Sequence, residues 1–175
     1  MRLKPNQITR MALLTSLAVI LHTIEALIFT PVLWIRLGLA NIVTILALVV
    51  FGLRGGMIVT IMRCILGGLV SGTLLGPAFI LSISGGLGSA GIMGFSLRWF
   101  YPGLSLMMIS VIGAITHSLI QIGLVYLILV KHIGIFIQLP FLLILSTITG
   151  LFNGWIATQL INGLAEQGIT GFEKI

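Results

Sequence analysis

The chain has 175 residues, 58% of them hydrophobic and 7% charged, with a mean hydropathy of +1.26. A water-soluble domain carries about a quarter charged residues, so this composition excludes a soluble globule and places the chain in a bilayer. The net charge of +6 comes from nine basic residues scattered along the chain, which form no patch able to track phosphates, so nucleic acid is excluded as a partner.

The N-terminal "MRLKPNQITRM" resembles a signal-peptide n-region. No Ala-x-Ala-like cleavage site follows the apolar run, so a retained first helix is expected. A helix needs about 20 apolar residues to cross about 30 Å of hydrocarbon. Six segments are expected to do so: 8–29, stopped by Pro31; 37–51, short and ending at "GLRGG"; 57–75; 77–97; 103–130, long and tilted; and 140–164. Only "GP" separates the third from the fourth, which predicts a tight hairpin. The expected fold is an all-α integral membrane protein, one domain over residues 1–175, built as a compact bundle of six transmembrane helices.

Basic residues set orientation. With six spans, Arg2, Lys4, Arg10, Arg54, Arg98 and Lys174 share one side with both termini, while Arg36 and Lys131 lie opposite. Cytoplasmic termini follow, in a multi-pass protein of a bacterial-type inner membrane. "RWFY" at 98–101 reads as an interfacial aromatic belt. The single cysteine, Cys64, can form no internal disulfide. Close packing is expected from small residues four apart: Gly68, Gly72 and Gly76; Gly86, Ala90 and Gly94; Gly150 and Gly154.

Polar side chains within the spans are costly, about 2.5–3.5 kcal/mol for a central arginine on insertion scales, and they usually face a cavity or a partner. By depth, His22, Glu25, Arg36, Asn41, His117, Gln121 and Asn153 fall in the outer half, with Ser82, Ser84, Thr116, Ser118, Thr147 and Thr149 nearby. A polar cavity open to the outside is the expectation, with Trp34, Phe79 and Phe141 covering the apolar part of a ligand. Arg36 either grips a ligand at the lip of the second helix or pairs with Glu25. Arg63 either snorkels to the cytoplasmic face or reaches a carbonyl or Glu25 across the bundle. His22 and Glu25 also allow a short proton relay. No metal site and no cofactor are expected. No catalytic triad, H-E-x-x-H motif, paired carboxylates or nucleotide loop occurs, so an enzyme is not expected.

"RLGLANIVTILALVVFG" followed by "RCILGGLVSGTLLGPAFILSISGGLGS" resembles the heptaprenyl diphosphate synthase component I family, also called Gx transporters, most clearly over residues 36–89. Length, span number and inward termini also resemble the substrate-binding S components of energy-coupling factor vitamin transporters. The S-component resemblance implies a ligand site near the extracellular face. It also implies a small-residue face on the first helix, here Ala12 and Ser16, that docks a transmembrane coupling subunit driven by ATPases. Ser16 departs from the alanine that the S-component pattern favours. The synthase label implies diphosphate chemistry, yet the chain has no aspartate with which to hold Mg²⁺ and diphosphate. The expected function is therefore the substrate-binding membrane subunit of a small-molecule uptake system. The alternative is a non-catalytic membrane partner in isoprenoid or quinone synthesis, and a third is a proton-coupled carrier acting alone.

Overall fold

A computed structural model describes residues 5–28 and 38–166. Among them it is entirely helical: α1 Pro5–Ile28, α2 Ala40–Val70, α3 Pro77–Trp99, α4 Leu106–Leu124 and α5 Leu139–Glu166. A π-helical turn, Val125–Val130, extends α4, and a 3₁₀ segment, Ile133–Gln138, leads into α5. Five of these helical stretches are long and apolar enough to cross a membrane. The chain is a multi-pass membrane protein.

This corrects the expected count of six. The segments 37–51 and 57–75 are not separated by a loop but run together as the 31-residue α2. "GLRGG" stays within that element, and the single break is Gly52, at φ 70° and ψ −172°. That backbone region is essentially closed to residues with a β-carbon, so one glycine does what a connecting loop was expected to do. The turn there is sharp. A β-carbon built on Gly56 would lie 3.5 Å from the Leu48 Cα, whereas eight residues of straight helix span about 12 Å. Val43 and Val59, on opposite sides of Gly52, share one buried cluster with Ala18 of α1. α2 is thus folded back on itself, with two limbs side by side.

Local chemistry explains the other boundaries. Pro77 opens α3, where its missing N–H costs nothing. Ser105 caps α4 by accepting a hydrogen bond from the Met108 N–H at 3.3 Å. Lys131, with φ 48°, ends the π-helical turn. Between α2 and α3 the chain needs a six-residue connection, 71–76, rather than the tight hairpin expected at "GP". Gly72 and Gly76 therefore lie in a loop and not on a packing face.

The helices touch through their small residues. A β-carbon on Gly150 would come within 2.7 Å of the Val111 Cα, and one on Gly154 within 2.6 Å of the Met107 Cα. The backbones of α4 and α5 meet at these two points. Ala90, Gly86 and Gly94 are buried on α3, as the sequence spacing indicates. One core cluster joins Ile45, Leu48, Met93, Ile109 and Ile161, and a second closes the other end of the bundle around Leu81, Ile122, Val125, Ile135 and Leu142. α1 is peripheral. Its exposed face carries Ile8, Leu13, Leu17, Ile20 and Ile24, which water would not tolerate in such a contiguous stripe and lipid does. Trp99 and Phe100 are exposed as an interfacial belt requires.

Candidate functional site

The interior of the bundle holds several polar side chains. His22, Glu25, Asn41, Arg63, Gln121 and Asn153 are each at most 5% exposed, and they come from α1, α2, α4 and α5. The structure sorts them into two groups.

The first group is gathered around the peptide of Gly38, just before α2. The Gly38 N–H donates to Glu25 Oε1, and the Gly38 carbonyl accepts from Asn153 Nδ2 at 3.0 Å. A β-carbon at Gly38 would lie 3.3 Å from Asn41 Nδ2 and 3.8 Å from Asn153 Nδ2. Side chains of α1 and α5 thereby hold one backbone unit from both sides, with Asn41 alongside. His22, one turn before Glu25, packs its ring against Gly67 of α2.

The second group lies between the later limb of α2 and α3. Arg63 is 3% exposed, and its guanidinium faces Gly86, where a β-carbon would be 3.1 Å from Nη2. Thr60, three residues earlier and hence on the same helix face, has its methyl 3.0 Å from that same position. Neither Arg63 Nε nor Thr60 Oγ1 has a hydrogen-bond partner among the described residues. Cys64 Sγ and Ser82 Oγ sit 3.6 Å apart beside them. Of the alternatives for Arg63, snorkelling to the surface does not fit its burial, with the head facing Gly86. On the other side of α3, the His117 ring of α4 lies 3.0–3.2 Å from a β-carbon built on Gly85. Arg63 and His117 thus approach adjacent residues of α3 from two different helices.

Other expected members behave differently. Gln121, one turn beyond His117, is 2% exposed, and its Nε2 has no partner among the described residues. The Thr116 and Thr147 hydroxyls donate to Ile112 and Leu143 carbonyls of their own helices, at 2.8 Å each. They need nothing from a cavity. Ser118 joins α4 to α5 through Ser146, at 2.6 Å. Phe141 is 59% exposed and does not line the interior. Arg36 and Trp34 lie outside the described residues. Ala12 and Ser16 are exposed on α1, with the Ser16 hydroxyl donating to the Ala12 carbonyl at 2.9 Å. Sequence reasoning missed Thr60, although the Thr60–Arg63 spacing marks a shared face, and read Gly86 only as a packing residue. Among the described residues no group of three or more His, Cys, Asp or Glu could hold a metal ion.

The model of one protein family, heptaprenyl diphosphate synthase component I, matches residues 14–160. The chain belongs to this family. The match takes in both limbs of α2, all of α3 and α4, and every buried polar residue described above. Searches of curated proteins and of solved structures find no match. The component I name denotes one part of a synthase, and this member of the family is a membrane protein with a polar interior.

Proposed function

We propose that this component I protein is the substrate-binding membrane subunit of a small-molecule uptake system, S-component-like in architecture. The observation that carries the reading is the burial of six costly polar side chains, from four helices, inside so small a bundle. The Thr116 and Thr147 hydroxyls, by contrast, satisfy themselves within their own helices. In this reading Asn41, His117, Gln121 and Asn153 orient a ligand by hydrogen bonds. His22 and Glu25 shape the pocket wall, Arg63 supplies charge, and Arg36 is a further contact at its mouth. The pocket opens to the extracellular side. Arg10 and Arg54 belong to the bundle end that also holds the close of α3 with Arg98, and this supports a cytoplasmic placement of that end and of both termini. The doubling back of α2 supports it too, because it returns the chain to the side it left.

Uptake needs an energised partner, since the chain carries no nucleotide-binding motif. The exposed Ala12–Ser16 face of α1 is the docking surface in this proposal, for a transmembrane coupling subunit and its ATPases. A second reading is favoured by the family match itself: a non-catalytic membrane partner of a soluble prenyl diphosphate synthase. Capture of the full-length chain from its native membrane separates the two. The uptake reading expects ATPases and a membrane subunit to co-purify, with Ala12→Leu/Ser16→Leu reducing their recovery at least tenfold. Recovery of a soluble prenyltransferase in their place would favour the second reading.

A further inference from the structure

Among the ionisable groups of the bundle, Arg63 stands out because of what surrounds it. It is 3% exposed, it lies inside a spanning helix, and its Nε has no acceptor among the described residues. Acids cannot be its counterion by default. The chain has three, Glu25, Glu166 and Glu173. Glu25 is engaged by the Gly38 N–H, and the other two belong to the C-terminal end. An arginine kept for structure alone is paired or hydrogen-bonded, because removing a charge from water without compensation is strongly unfavourable. Beside it Thr60, fully buried, has a hydroxyl that is likewise without a partner among the described residues. Both pack against Gly86, where the Thr60 methyl and Arg63 Nη2 would stand 3.0 and 3.1 Å from a β-carbon. Arg63 Nε and Thr60 Oγ1, three residues apart on one helix face and both without a partner among the described residues, are donor types that an oxyanion takes, and an arginine fork suits carboxylate and phosphate alike.

We propose that Arg63 and Thr60, across from Gly86, form an oxyanion-binding point, so that the ligand of this protein carries a carboxylate or phosphate group. The inference rests on the binding-subunit reading and names its substrate class. The guanidinium neutralises the anion and Thr60 Oγ1 donates to a second oxygen.

The test uses the full-length chain purified in detergent and titrated with inorganic pyrophosphate, sodium octanoate and octanol, read by calorimetry and thermal unfolding. At least one of the two anions is expected to bind saturably and raise Tm, while octanol does not. Arg63→Gln should weaken that binding at least thirtyfold, Arg63→Lys less than Arg63→Gln, and Thr60→Val several-fold. Tighter binding of pyrophosphate marks a diphosphate ligand, and tighter binding of octanoate a carboxylate. Without ligand, Arg63→Gln should melt no lower than the unsubstituted protein, because it removes an uncompensated charge. An Arg63→Gln variant that melts far lower or fails to fold would make the arginine a structural stitch and overturn the inference. Anion binding untouched by Arg63→Gln, or tight binding of a neutral compound alone, overturns it too while leaving the binding-subunit reading standing. No binding of either anion to the unsubstituted protein also overturns it.

Discussion

Placing valine at both Gly150 and Gly154 is expected to lower the thermal unfolding temperature by about 10 °C or more and to cost the protein its monodisperse state. β-carbons at these positions would meet the Val111 Cα at 2.7 Å and the Met107 Cα at 2.6 Å. Main-chain atoms cannot rotate aside as a side-chain tip can, so α4 and α5 must separate along their whole shared seam. Overpacking of this kind costs about 1–3 kcal/mol per site. Two sites then consume a large part of the roughly 5–15 kcal/mol that holds a domain together, and about 2–4 °C is lost per kcal/mol at this chain length. In lipid the seam has no hydrophobic force to restore it, because close packing is itself the driving term. Gly163→Ala supplies the control. A β-carbon there meets nothing within 4 Å, and its unfolding temperature should stay within a degree or two. A double variant that melted with the unsubstituted protein would show that the helices do not meet at these glycines.

The second large effect concerns the peptide of Gly38. Glu25→Leu removes the acceptor of its N–H, and Asn153→Leu removes the donor to its carbonyl. Each change leaves a part-buried backbone group without its partner, at a cost of up to about 1–3 kcal/mol. The two should not add. Once one side chain releases the Gly38 unit, it can relax toward other partners, and the remaining contact loses much of its value. A double-mutant cycle is expected to show coupling of about 0.5–3 kcal/mol, with the double variant less destabilised than the two single costs combined. Strict additivity in thermal or denaturant unfolding would mean that α1 and α5 do not grip the same peptide.

Much of this architecture is legible from hydropathy. The expected segments 77–97 and 140–164 correspond to Pro77–Trp99 and Leu139–Glu166, because long apolar runs bounded by proline or by polar residues leave little freedom. What escaped was conformational detail at single residues. Nothing in "FGLRGG" says that one glycine at φ 70° will reverse the chain without a loop, since a glycine-rich stretch serves a loop equally well. The same holds at "SGTLLG", where a four-residue spacing suggested packing and the glycines instead build a connection.

The candidate site was legible for a different reason. Polar groups in apolar helices are expensive, so their presence alone announced burial for His22, Glu25, Asn41, Arg63, Gln121 and Asn153, all of which are buried. Their directions were not legible. Whether a hydroxyl turns to its own carbonyl, as at Thr116 and Thr147, or faces a neighbouring helix depends on rotamers and on helix rotation. A hydropathy profile carries neither. Phe141 illustrates the same limit, because an aromatic residue at a helix start suits a pocket wall and a lipid contact equally, and here its ring is mostly exposed.

The account stands or falls on whether those buried polar side chains serve a ligand. Mass spectrometry of the small molecules released from protein purified directly from its native membrane tests this most directly. One low-mass compound, in an amount comparable with the protein, is expected from the unsubstituted chain and at least tenfold less of it from His117→Ala/Gln121→Ala. Equal recovery from both proteins, or no compound from either, would contradict it.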